Sequence, residues 1–216
     1  MVKREESKKE SGKTLSLLQH DRSFLDQGFL SLAGVDEAGR GPLAGPVVAS
    51  AVIVRDFSFV SRIDDSKKLS ALQRERAFEE IHAKCEVALA VVDHERIDEV
   101  NILKATLQAM REAVMKLGIL PGCLLVDGPH VPEVFCTRFP VIDGDAKSFS
   151  IACASIIAKV TRDRMMQAYD LEYPGYGFGA HKGYGTKSHI AAIREKGPCK
   201  IHRKTFEPIR TLMNVK

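Results

Sequence analysis

A chain of 216 residues, 44% hydrophobic and 28% charged, is long enough to bury a core without covalent staples and too ordinary in composition for a disordered or fibrous protein. The net charge of +4 is a mild basic excess that does not by itself establish a nucleic-acid partner. The cysteines, Cys85, Cys123, Cys136, Cys153 and Cys199, are odd in number and form no C-x-x-C pair, which favours reduced, buried thiols in a cytoplasmic protein over disulfides or zinc ligands.

Residues 1–13 are polar, carry no signal-peptide core and are expected to fray. Leu15, Leu17, Leu18 and Leu25 predict a short helix ending near Gly28. The run 30–35 predicts a buried strand that delivers Asp36, and 46–54, rich in valine and alanine, predicts a second. So short a link between them requires an antiparallel pair. This second run holds the longest apolar stretch, too short to span a membrane. After a polar loop at 63–70, Ser70 and Gln73 form a capping-box signature for a helix over 71–84.

Residues 85–92 predict another strand. Val100, Leu103, Leu107, Met110, Val114 and Leu117 then recur at steps of three and four, the core stripe of a helix stopped by Gly118 and Pro121. Short strands are predicted at 123–126 and 139–142, a buried helix at 148–170, a glycine-rich loop at 173–184 and a basic helix at 186–196 closed by Gly197. The order predicts an α/β fold, a mixed sheet with helices on its faces.

Chemistry concentrates at element ends. Asp36 and Glu37 close the first strand and Asp127 closes a later one; Asp145 precedes the buried helix. Carboxylates gathered at one edge repel each other and are tolerated when divalent cations neutralise them; oxygen-only ligation favours Mg²⁺ or Mn²⁺. Any one acid alone reads better as a cap or a surface charge. A regular strand would also point Asp36 and Glu37 to opposite faces, so both reach one metal site only if the strand breaks or bulges there.

The glycines at 39, 41 and 45 are not a dinucleotide fingerprint, since Pro42 follows and the next element is a strand. Gly12-Lys13-Thr14 lacks the first glycine and the preceding strand of a P-loop. From 181 to 204 the chain carries Lys182, Lys187, Arg194, Lys196, Lys200, Arg203 and Lys204 against Glu195 alone, either a solvated face or a phosphate-binding surface. Tyr184 in that segment could stack on a sugar or base.

The stretch Val35-Asp36-Glu37-Ala38-Gly39-Arg40-Gly41-Pro42 resembles the signature of ribonuclease HII. Later motifs arrive in that family's order: Asp65-Ser66-Lys67-Lys68-Leu69, Asn101-Ile102-Leu103, Val126-Asp127-Gly128, Gly144-Asp145, the run 154–163 containing Lys159, His181-Lys182-Gly183-Tyr184 and His202-Arg203. The resemblance covers roughly 30–208. It implies a ribonuclease H-like core over 29–170, preceded by a tail and short helix at 1–28 and followed by a basic helical extension at 171–216.

It further implies cleavage of the RNA strand of RNA–DNA hybrids and of duplex DNA at single ribonucleotides. Asp36, Glu37, Asp127 and Asp145 would hold Mg²⁺ or Mn²⁺, as two ions with substrate bound. Gly39, Arg40 and Gly41 would read the ribose 2′-hydroxyl. Tyr184 would pack at the RNA–DNA junction, and Ser66, Lys67, Lys159 and Lys182 would contact substrate. Asp143 stands where the family usually has a basic residue. The region before the first strand is too short for the extra N-terminal domain of ribonuclease HIII. A non-catalytic nucleic-acid-binding protein of the same fold is the alternative. No membrane or obligate protein partner is evident, and a monomer is expected.

Overall fold

In the computed structural model, residues 2–214 are described, with side chains over 12–213. The strands are β1 (Leu32–Ala38), β2 (Val47–Val54), β3 (Cys85–Val92), β4 (Cys123–Asp127) and β5 (Thr137–Val141). The helices are α1 (Val2–Leu25), α2 (Ala71–Lys84), α3 (His94–Val100), α4 (Ile102–Met115), α5 (Phe149–Glu172), α6 (Phe178–His181), α7 (Lys187–Lys196) and α8 (Ile209–Asn214). The strands form one mixed sheet in the order β3-β2-β1-β4-β5. β1 runs antiparallel to β2, as the short link requires, and parallel to β4.

Strand alternation divides the sheet between two helical layers. Ala33, Val35, Leu124 and Val126 face α4, where Ala105, Ala109 and Ala113 let helix and sheet approach closely. Of the predicted stripe, Met110 and Val114 are buried in this core, while Val100, Leu107 and Leu117 are only partly buried at its margins. On the other face α5 packs with α2 through Phe78, Ile81, Phe149, Ile156 and Ile157. Gly34 makes this possible: a Cβ there would overlap the Ser150 backbone. The predicted capping box is present, Ser70 and Gln73 bonding each other's backbone N–H.

Two expectations change. The helix predicted from Val100 begins only at Ile102, and Val100 ends a separate unpredicted helix, because Asn101 takes φ 72° and caps α4 by accepting from the Lys104 N–H. The N-terminal helix is far longer than leucine spacing suggested and runs through most of the stretch expected to fray; Met1 and the side chains of residues 2–11 lie outside the described residues. The helix is anchored near its end, where Leu17 is buried against the α2–α5 layer and Asp21 accepts the Ser150 N–H at 2.8 Å.

Exposed apolar side chains do occur: Met115, Leu120 and Phe135 line a groove of about 550 Å³ beside the end of α4. Among the described residues, no helix is long and apolar enough to cross a membrane.

Gly34→Ala should lower stability by about 3 kcal/mol, because the new methyl must displace backbone rather than a flexible side chain. Urea denaturation measures this, and an unchanged midpoint would show that α5 does not lie on Gly34.

Candidate active site

The expected break at Asp36 is absent. β1 continues to Ala38, and its register with β2 is unbroken through Asp36↔Ser50 and Glu37↔Ala49. What stops is the other neighbour: pairing with β4 ends at Val35↔Val126. Beyond that point β1 has a free side. Asp36 points to the α5 face, next to Asp127 at the end of β4. Glu37 points to the α4 face, beside Leu103, Thr106 and Met110. Both line a cleft of about 330 Å³ together with Asp127, Gly39, Arg40, Gly41, Ser66, Lys67, Lys159 and Tyr184.

Asp145 and Lys182, also expected here, are not among the cleft's lining residues. Asp145 stands beside it, 3.6 Å from the Lys67 ammonium. It is buried while Asp143 is exposed, so Asp145 is the acid turned toward the cluster. Asp127 joins the two segments by accepting the Gly144 N–H at 2.6 Å. The Lys182 ammonium is turned onto the Gly179 carbonyl at 2.5 Å.

Negative charge here exceeds what the protein compensates. Burial first, then Glu37 and Asp127, raises the Asp36 pKa well above the carboxylate range, against opposing hydrogen bonds from Ser155 and the Glu37 amide. Burial also raises Glu37, helped by Asp127 and opposed by Arg40. Burial and the neighbouring acids Asp65 and Asp127 raise Asp145 in spite of Lys67. Arg40 bonds one Glu37 oxygen at 3.3 Å, but Oε2 is buried with no partner. Among the described residues no three acidic, His or Cys side chains already form a metal shell. The cluster is thus open, hard in its donors and short of positive charge, which fits a hydrated divalent cation.

Two arginines shape the glycine turn. Arg162 and Arg203 are buried and bond the backbone carbonyls of 39–46. Arg203 therefore does not belong to the basic surface on which the sequence had placed it. Tyr184 is half-exposed, and its ring lies beside Gly41, where a Cβ would stand 3.5 Å away. Its carbonyl accepts from His189 Nδ1 at 2.9 Å, and His189 Nε2 meets His202 Nε2 at 3.1 Å. Burial lowers both histidines to about 4, keeping them neutral.

Ser155 and Arg162 also line the cleft and were missed as site residues. Ser155 bonds Ser66 at 3.0 Å. Ser155 and Arg162 both lie in the run 154–163 that matched the family motif, which was the signal available for them.

Fold and cleft together define a nuclease of the ribonuclease H-like class. A family model described as ribonuclease HII matches residues 33–209. Ribonuclease HII of Geobacter metallireducens is 55% identical over 184 residues, 85% of this chain and 86% of that protein. The Ruminiclostridium cellulolyticum enzyme is 51% identical, over 88% of this chain and 75% of its own length. The crystal structure of ribonuclease H2 from Pyrococcus horikoshii superposes with a TM-score of 0.71 at 29% identity, covering 86% of this chain and 98% of that one. The chain belongs to the ribonuclease HII family, endonucleases that hydrolyse RNA in RNA–DNA hybrids.

Asp36→Asn should stabilise the cation-free protein by about 1 kcal/mol at neutral pH. A carboxyl whose folded pKa is raised stabilises below its unfolded pKa, and that contribution is lost as pH rises through the folded value. The advantage of the variant should therefore disappear toward pH 3. Thermal melts across pH test this; a variant less stable than the parent at pH 7 would contradict the charge excess.

Proposed function

We propose that the cleft cuts the phosphodiester 5′ to a ribonucleotide, including one embedded alone in duplex DNA, leaving 5′-phosphate and 3′-hydroxyl ends. Asp36, Glu37, Asp127 and Asp145 would hold Mg²⁺ or Mn²⁺, two ions when substrate is bound. The observation that carries this reading is the uncompensated buried charge, above all the partnerless Glu37 Oε2. When bound, such cations lower the pKa of a water nucleophile and neutralise charge on the phosphate.

The chain's own groups supply the rest. The Glu37 amide and Ser155 hold the Asp36 carboxylate in one orientation. Burial works against the charge of Lys67, yet Asp145, Asp65 and Asp36 outweigh it, so it stays an ammonium at the cleft, suited to a phosphate. Ser66 offers a hydroxyl beside it, and Lys159, paired with Asp163, lies on the same wall.

The Gly39-Arg40-Gly41 backbone would bond the ribose 2′-hydroxyl, the group that separates RNA from DNA. Tyr184, beside Gly41, would pack on the next, deoxy sugar. The exposed bases of α7 would hold duplex phosphate. Lys182 would contribute charge from behind the cleft. The protein would act as a cytoplasmic monomer in ribonucleotide and primer removal, its five cysteines being unpaired.

A duplex carrying one ribonucleotide should be cut on its 5′ side when Mg²⁺ or Mn²⁺ is present and not in EDTA. Asp127→Asn should reduce the rate by at least about a thousandfold while duplex binding persists. Cleavage without metal, or at another bond, would contradict the reading.

A further inference from the structure

The turn between β1 and β2 rests on two cations whose hydrogen-bond partners are carbonyls rather than carboxylates. Arg203 uses every donor of its guanidinium: Nε to Gly45 O at 3.0 Å, Nη1 to Arg40 O and Pro42 O at 2.8 Å, Nη2 to Gly39 O at 2.6 Å and Gly45 O at 2.9 Å. Arg162 donates to Pro46 O at 2.9 Å, Lys182 O at 3.0 Å and Ala44 O at 3.1 Å. Burying a charge without a counter-charge is costly, and burial lowers the two side chains to about 10 for Arg162 and about 9 for Arg203. An apolar filler would avoid that cost but could not orient carbonyls.

Orientation is what the arrangement delivers. In a trans peptide the C=O of one residue and the N–H of the next point in opposite directions. With the Gly39 and Arg40 carbonyls drawn onto Arg203, the N–H groups of Arg40 and Gly41 are directed away from it, at residues that line the cleft. Gly39 has φ +102°, and a Cβ there would overlap the Arg162 side chain, so the turn lies directly on that guanidinium. The two cations come from distant parts of the chain, α5 and the segment after α7.

We propose that Arg162 and Arg203 are positioning residues for sugar discrimination, fixing the carbonyls of the turn so that the Arg40 and Gly41 amides face a ribose 2′-oxygen. This rests on the reading that the turn senses the sugar. Lysine keeps the charge but has no planar fork to bridge these carbonyls.

The test compares KM for a single-ribonucleotide duplex with Ki for an all-DNA duplex as competitor, in the full-length protein with Mg²⁺. R203K should raise KM about tenfold and leave Ki within about twofold, with thermal melting showing a folded protein. R162K, with fewer carbonyl contacts, should move the ratio in the same direction and carries the test if R203K does not fold. G41A, which places a methyl on the cleft side, reports on the sugar reading itself. If G41A removes the preference for ribose but folded R203K and R162K keep it, the clamp is wrong and the sugar reading stands. If all three keep it, the sugar reading is wrong and the clamp falls with it. KM and Ki rising together in the arginine variants would show a merely structural role and overturn the proposal.

Discussion

Like charges crowd where β1 and β4 end, and much of the molecule is arranged around that crowding. Asp36 lies under α5, Asp127 closes the adjacent strand, Glu37 approaches from the opposite sheet face and Asp145 stands at the entrance to α5. Carboxylates this close cannot all ionise cheaply in a buried setting, and the raised pKa values of Asp36, Glu37 and Asp145 express that cost. Lys67 and Arg40 compensate only partly. A fold optimised for stability alone would not keep this arrangement, whereas the proposed cation site would make use of it.

On the proposed function, reading and cutting would sit within a few residues of each other. β1 ends in the acids, and the turn after it presents Gly39, Arg40 and Gly41 to the same cleft. The turn makes few backbone contacts of its own, such as Leu43 N–H to Gly183 O at 2.8 Å and Gly45 N–H to Ile201 O at 2.9 Å. Its remaining shape is imposed by Arg162 and Arg203. The C-terminal segment also fixes the Tyr184 carbonyl through His189 and His202. A duplex bound along that segment would therefore meet the turn proposed to read the sugar and an aromatic ring held by the same part of the chain.

The strands of the sheet, the N-terminal cap of α2 and the basic helix α7 were legible because they depend on local pattern: short apolar runs, Ser70 with Gln73, and Gly197 after a basic segment. The acids were legible as strand ends, and the family resemblance supplied their grouping. The expected break at Asp36 was not found, because the sequence shows where a strand loses hydrophobicity but not where one neighbour stops. Here β4 ends first, and an unbroken β1 carries both acids to the cleft. Arg203 was read as surface charge because basic residues surround it; its burial depends on carbonyls more than 150 positions away in sequence. Asn101 looked like a helical residue until its positive φ divided α3 from α4.

The buried carboxylate cluster carries negative charge that Lys67 and Arg40 only partly offset, and burial raises the pKa of Asp36, Glu37 and Asp145, so a bound cation should favour their ionised forms. Calorimetric titration of the metal-free protein with Mn²⁺ at pH 6, in two buffers of different ionisation enthalpy, measures proton release directly. Binding should release protons from the parent protein and fewer from Asp36→Asn. Mn²⁺ binding with no proton release, or with the same release from both proteins, would contradict the account.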